Sequence, residues 1–389
     1  MLSRTLRPGA IVLLLAAFAA SSATDPRETV FEEQAAVILS NDRIRLTVLT
    51  RGAGMASLTL ADDDEQVNPL WNPGPRSPFD GLRGHFIALD GFGEASPEER
   101  AAGLPPHGEA RLQQYSLLPQ AEGKTASVTM TAILPVADES FTRSYTVVDG
   151  ENVIYVDSLL ENLTAIDRPL LWTEHATFGA PFIAPGVSAI DLPGTESMVR
   201  PAPPAFPESA LGRGAALDRR LIPGTEFAWP TVQGVSGRAI NLRNSPGNPR
   251  FLEHVTTLFD TRREFAWVVA INTFRQTICG YLFRRTDFPW AQIWGYFPSE
   301  HAEVRGVGFG LSPWDLSRRD AMSLGNLFAM PTAGWLPAKS KIRKRFLLFS
   351  AHAPDGFRRI DEVRLEKGAI ILEDRTARLS LTLAASRGL

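Results

Sequence analysis

The sequence predicts an all-β protein, and three observations carry that prediction. Its 389 residues include 31 glycines and 29 prolines, residues that break helices and punctuate turns, so many strands joined by loops are expected. β-Branched and aromatic residues recur in runs of five to ten, the length of ordinary strands. None of these runs is long enough, or periodic enough at 3.6 residues, to prefer a helix.

Taken in order, the first element is hairpin-like. The apolar run at 36–40 (AVILS) and the alternating run at 43–49 (RIRLTVL) flank the turn residues Asn41-Asp42. Further strands are predicted at 126–134, 141–148, 152–160, 265–272, 278–283, 292–296, 304–311 and 342–350. Weak helical patches stand at 96–102 and 357–366, read as single turns or short connectors. The stretch 185–249 is the least regular, rich in Pro and Gly around Phe227-Ala228-Trp229-Pro230, and a loop of that length inside a domain reads as a lid or wall over a site. No repeat of 20–50 residues and no sharp composition shift divides the chain, so a single domain is expected over 24–389.

The first 23 residues read as a signal peptide. Arg4 and Arg7 precede the apolar run 10–20 (AIVLLLAAFAA), and Ser21-Ser22-Ala23 supplies small residues where a signal peptidase cuts. Eleven apolar residues are too few to cross a hydrocarbon core about 30 Å thick. Cleavage would leave a periplasmic or secreted chain with no membrane attachment, and losing the two arginines would take the formal net charge from −3 to −5. That charge gives no global positive field to gather a nucleic-acid backbone, so nucleic acid is not expected as a partner. The single cysteine, Cys279, has no partner for a disulfide and reads as a buried thiol.

Six histidines stand at 85, 107, 175, 254, 301 and 352, and no two have the H-E-x-x-H spacing of a helical zinc site. G-x-S-x-G, a Walker A loop and a strand-to-helix G-x-G-x-x-G are all absent from the sequence. No metal and no cofactor is therefore implied, and Asp62-Asp63-Asp64-Glu65 reads as a solvated turn. Two segments carry more. Residues 81–93 (GLRGHFIALDGFG) and 104–111 (LPPHGEAR) bring Arg83, His85, His107, Glu109 and Arg111 into one region. If 107–111 is extended, His107, Glu109 and Arg111 share a face. In 169–179 (PLLWTEHATFG), His175 stands in an apolar strand-like run near Trp172, where a core histidine bonded to the backbone is the ordinary alternative.

An Arg-Gly, then Pro-Pro-His-Gly-x-Ala-Arg about twenty residues on, then Glu-His-x-x-Phe-Gly resembles the galactose mutarotase (aldose 1-epimerase) superfamily, including its hexose-6-phosphate epimerase-like branch. Residues 42–60 and Asn68-Pro69-Leu70-Trp71 look like that family's opening strands, and the resemblance spans roughly 36–350. It implies a β-supersandwich whose concave face holds a sugar ring, with carbohydrate as the partner. By that resemblance His175 is the catalytic acid, His107 holds the ring oxygen, and Arg83 and Arg111 flank the pocket. Trp172, Trp229 and Trp294 are candidate surfaces for stacking a sugar, each equally able to be core.

Ring opening of a hemiacetal needs an acid and a base on two sides of the ring. The family's base is a glutamate at the end of a late strand, and the matching position here is Ser312, in 306–315 (GVGFGLSPWD). Serine has no carboxylate and is a poor general base. Asp315, Glu300, Glu303 and Glu109 are the candidate replacements. Alternation also puts Gly306, Gly308, Gly310 and Ser312 on one face, consistent with a side cleared for a ligand. The expectation is an exported, aldose 1-epimerase-like protein, with a noncatalytic carbohydrate-binding protein on the same fold as the alternative.

Overall fold

The computed structural model describes residues 24–73, 82–201, 220–245, 251–297 and 304–389. The signal-peptide segment, Glu300 and Glu303 lie outside the described residues. Two antiparallel sheets dominate. An eleven-stranded sheet runs from the N-terminal hairpin strands Thr24–Phe31 and Gln34–Ser40 to Gly194–Val199 and Glu226–Ala228. At its centre, His85–Leu89, Trp172–Gly179, Val304–Gly310, Trp290–Phe297 and Phe251–Phe259 lie side by side in that order. An eight-stranded sheet runs from Ser188–Asp191 through Phe265–Asn272, Thr277–Arg284, Lys341–His352, Val153–Asn162, Glu139–Val148 and Thr125–Leu134 to Ser116–Glu122.

The inner faces of the two sheets meet in one apolar core, with Leu46, Ile87, Trp172, Val307 and Phe309 from the first against Val128, Phe141, Val156, Tyr281, Phe283 and Phe346 from the second. Phe309 stacks on Phe283 with centroids 4.3 Å apart. Cys279 is fully buried on this inner face, and burial pushes its thiol pKa up.

The predicted strands all form, and the predicted opening hairpin pairs Ser40 with Arg45. The patch at 96–102 is the short helix α1, Pro97–Ala101, started by a capping box between Ser96 and Glu99. The patch at 357–366 is not helical. Glu362–Glu366 is instead the first strand of a C-terminal three-stranded sheet with Ala369–Asp374 and Leu379–Ala384. Lys367 and Gly368, both at positive φ, make a two-residue hairpin turn that a helical reading overlooks. The sequence reading also missed the helix α2, Arg318–Leu324, capped by Ser317. Within 185–249, the described residues form short strands at Ser188–Asp191, Gly194–Val199, Glu226–Ala228, Thr231–Gln233 and Ala239–Asn241.

Candidate functional site

Strand alternation decides which histidine faces where. Along Trp172–Gly179, residues 172, 174, 176 and 178 point into the core between the sheets, so Thr173, His175 and Thr177 point to the outward face of the large sheet. His85, on the neighbouring strand, faces inward. Its Nε2 lies 2.8 Å from Glu174 and its Nδ1 3.2 Å from the Tyr281 hydroxyl, and its ring stacks on Phe346. Glu174 also accepts from Arg143 and from Trp172 Nε1. Burial would raise the Glu174 pKa, but the Arg143 guanidinium and the His85 hydrogen bond hold it down at about 2. This inner network is a buried, hydrogen-bonded ion pair in which Glu174 takes donors from three side chains.

The outward face carries a second set. The His175 ring stacks on Phe86 at 4.6 Å, and Phe92 lies 5.6 Å away. His107 meets the same two phenylalanines edge-on, at 5.6 and 5.5 Å. Two histidines 68 positions apart thus share one aromatic cradle. His107 reaches it from a tight loop rather than a strand: its φ is +62°, and Gly108 follows at φ +72°, where a Cβ would stand 1.7 Å from the Leu89 carbonyl oxygen. Only glycine allows the chain to cross the end of that strand so closely.

The expected shared face of His107, Glu109 and Arg111 is therefore corrected. Residues 110–112 form a 3₁₀ turn, and Glu109 turns away to accept from the backbone N–H groups of Ala137 (2.7 Å) and Val136 (3.2 Å). His107 Nδ1 accepts from the Gly93 N–H at 3.1 Å, which leaves the proton of the neutral ring on Nε2. His175 Nδ1 lies 3.0 Å from the Thr177 hydroxyl. Burial pushes both imidazoles down to about 3, with Arg111 adding to the effect at His107 and His85 at His175. Both are neutral in neutral solution.

The glycine strand separates this cradle from a second polar group. Gly306, Gly308 and Gly310 do share the outward face, but the face is not bare. A Cβ on Gly306 would stand 3.1 Å from both His175 Cε1 and Trp294 Cε3, so the glycines are where neighbouring side chains lie down over the sheet. Trp294 stacks on Tyr296 and pairs across the strand with His254. His254 Nε2 lies 3.2 Å from Gln292 Oε1, and its Nδ1 3.6 Å from Asp315. Asp315 accepts from Arg200 Nε at 2.6 Å. His254, Gln292 and Arg200 had no motif to announce them. Only strand register, which pairs His254 with Trp294 and Gln292 with Gly308, brings them here.

At the other end, Arg51, Arg83, Phe86 and Arg111 line a cavity of about 230 Å³. Arg83 pairs with Glu32 at 2.7 Å, and Arg111 donates to the Pro106 carbonyl at 3.1 Å, bracing the His107 loop. Burial lowers the Arg111 pKa, and Arg51 adds to that.

The structure thus brings His107, His175, Arg83, Arg111 and Trp294 to one face. It does not bring Trp172, which is fully buried between the sheets because residue 172 has the opposite parity to 175. Trp229 packs against the core. Ser312 is fully buried, its hydroxyl bonded to the Trp314 backbone carbonyl at 2.9 Å. Of the two candidate carboxylates among the described residues, Asp315 and Glu109, Asp315 is the one placed on this face.

With that geometry in place, comparison with solved structures is informative. A galactose mutarotase-like protein from Clostridium acetobutylicum superposes with a TM-score of 0.59 at 12% identity, covering 84% of this chain and 98% of that one. A galactose mutarotase related enzyme from Lactobacillus acidophilus gives 0.55 at 13% identity, covering 85% and 100%. The fold is that of the galactose mutarotase-like proteins. No protein-family model matches the sequence, and no curated protein matches it. The galactose mutarotase-like fold accounts for the two packed sheets, and the particular side chains on the outward face belong to this chain.

Proposed function

We propose that the outward face between Phe86 and Asp315 binds a carbohydrate ring. The observation that carries this reading is the shared cradle of His107 and His175, faced across Gly306 by Trp294. An aromatic surface suits the apolar face of a sugar, and neutral imidazoles, Gln292 and the Asp315 carboxylate suit its hydroxyls. The structural neighbours, one titled galactose mutarotase-like and the other galactose mutarotase related, support a sugar as the ligand class. The N-terminal pattern supports an exported chain, for which a free sugar or glycan end is the accessible form. N-terminal sequencing of the secreted product tests that part.

A second reading, anomer interconversion, is favoured by one observation. Asp315 puts a carboxylate beside His254, across the glycine strand from His175. In that reaction Asp315 would take the proton of the anomeric hydroxyl as the bond between the anomeric carbon and the ring oxygen breaks, and an imidazole would deliver a proton to the ring oxygen. Reclosure reverses both transfers. The ion pair with Arg200 and the neutrality of both histidines weigh towards binding without turnover.

Ligand-observed NMR on the mature chain with a panel of aldoses and uronic acids separates these. Saturable binding that is lost in Trp294→Ala supports the site. Accelerated anomer exchange, lost in both His175→Ala and Asp315→Asn, establishes turnover. A folded protein that binds no sugar in the panel overturns both readings.

A further inference from the structure

Beneath the His107 loop lies a buried carboxyl pair with no part in the chemistry above. Asp90 is 2% exposed and Glu139 0%, and all four of their carboxyl oxygens lack a hydrogen-bond donor among the described residues. The Asp90 charge acts directly on Glu139 and disfavours ionisation of the second carboxyl. Arg168 approaches Asp90 at 3.6 Å and Glu139 at 3.5 Å, and Arg318, from α2, approaches Asp90 at 3.5 Å. Arg318 also bonds Glu99 of α1 at 3.1 Å.

Charge counting makes this cluster unusual. Arg168 and Arg318 carry two positive charges, and Asp90 and Glu99 carry two negative ones. An ionised Glu139 would add a fifth, unbalanced charge at a fully buried position, which the interior does not tolerate. One proton between the two carboxyls removes that charge and supplies the donor that their oxygens lack, as a short O–H···O⁻ bond.

The pair sits at the root of the ligand face. Asp90 has φ +61°, and its N–H is held by the Leu171 carbonyl at 2.8 Å. Two residues on, the Phe92 N–H bonds Leu316 O at 3.3 Å, and the Phe92 ring forms one wall of the histidine cradle. Gly93 then grips His107 twice, its N–H on Nδ1 and its carbonyl on the His107 N–H at 2.8 Å. Gly93, which holds both the His107 ring and the His107 backbone, is therefore only three positions along the chain from the clamped carboxylate.

We propose that Asp90 and Glu139 share a single proton, with Glu139 the neutral partner, and that this pair, clamped between Arg168 and Arg318, is the positioning element that fixes His107 and Phe92. Burial, and after it the Asp90 charge, push the Glu139 pKa up to about 10. Alkaline solution ionises Glu139, sets two carboxylates against each other and loosens the 90–93 turn. The proposal concerns the face read above as a sugar site, but its test uses no ligand, so a failure of the sugar reading leaves it decidable.

The test is ¹⁵N NMR of the His107 imidazole in the full unliganded chain between pH 7 and about pH 10.5. In the wild type the His107 ring signals move with a midpoint near pH 10 while those of His254 stay fixed. In Glu139→Gln, whose amide donates to Asp90 but cannot ionise, the movement disappears. In Asp90→Asn the signals are already displaced at pH 7. A wild-type His107 that does not respond, or a response that persists in Glu139→Gln, overturns the proposal. Should Glu139→Gln fail to fold, the carboxyl ¹³C shift of Glu139 in the wild type decides instead: a protonated value at pH 7 supports the shared proton, and an ionised value refutes it.

Discussion

The neutrality of the two outward histidines predicts a defined acid sensitivity. Unfolded, each imidazole takes up a proton near pH 6.5; folded, burial holds each down at about 3. A base with a lowered folded pKa binds fewer protons folded than unfolded. Its neutral form therefore costs no stability above pH 6.5, and stability falls as the pH drops from 6.5 towards 3. At pH 4.5, two units below the unfolded value, the penalty is about 2.7 kcal/mol per imidazole, at about 1.36 kcal/mol per unit. Both rings are half-buried, so solvent screening reduces this to roughly 1.5–2.7 kcal/mol each. The perturbation is His175→Asn, and the assay is urea unfolding followed by tryptophan fluorescence at pH 7 and pH 4.5. The variant should lose about 1.5–2.7 kcal/mol less than the wild type between those two pH values. His85 and His254, both lowered by burial, act in the same direction, and Glu139 acts in the opposite one. Glu174 and Asp260, both at about 2, act below pH 4.5. The groups distant from His175 cancel in the difference, and the weaker coupling of His175 to His85, His254 and His107 falls within the stated range. A variant that keeps the full wild-type loss would refute the claim that His175 is held neutral.

Three further outcomes are expected. Gly306→Ala puts a methyl group 3.1 Å from His175 Cε1 and Trp294 Cε3; it should cost about 1–3 kcal/mol by overpacking and lower sugar affinity, and an unchanged affinity by NMR titration would remove the His175–Trp294 cleft from the site. Glu174→Ala leaves Arg143 buried without its carboxylate and should cost about 3–5 kcal/mol in urea unfolding, whereas a loss under about 1 kcal/mol would mean that the inner network is dispensable. Ser312→Ala removes the hydroxyl's bonds to the Trp314 backbone carbonyl and N–H; it should cost about 1 kcal/mol and leave ligand affinity unchanged, and a clear loss of affinity would return Ser312 to the site.

The sequence made the strands legible because period-two patterning and turn residues act locally. Thr125–Leu134 alternates between buried and half-exposed positions as its pattern predicts. Parity also distinguishes His175 from Trp172, three positions apart on one strand, although the sequence reading offered both as site residues and the structure keeps only His175. His107 was legible as a residue but not as a conformation, since its placement depends on a left-handed turn over Leu89 rather than on a strand. His254, Gln292 and Arg200 were illegible because nothing local marks them. Their position follows from which strands are neighbours in an eleven-stranded sheet, a long-range property. The pairing of Asp90 with Glu139 was hidden for the same reason: Asp90 stands in the segment 81–93, but nothing local points from it to Glu139, and their proximity depends on how the end of one strand meets another sheet.

The C-terminal sheet shows how such long-range packing imprints on composition, and it gives a last prediction. Phe265–Asn272, Thr277–Arg284 and the second half of Lys341–His352 are apolar on both faces, unlike the alternating strands at the far edge of the same sheet. Their inner side chains meet the large sheet. Their outer ones, including Trp267, Val269, Leu282, Leu347 and Phe349, are covered by Val363, Ile370 and Leu372 of the C-terminal sheet. Strands buried on both sides read as continuous apolar runs, so the runs are explained only if that cover stays in place. Ile370→Asp puts a charge at a fully buried position and should detach the cover, since an unpaired buried carboxylate costs more than the small sheet's packing can offset. The bared outer face then becomes an apolar patch of the kind that drives association. Red-shifted Trp267 emission, new binding of a hydrophobic dye and concentration-dependent self-association should appear together. Sugar binding should survive, because the His107–His175 cradle lies on the outward face of the other sheet. A variant that loses the sugar site while Trp267 stays buried would show that the two sheets are coupled in a way the packing does not reveal.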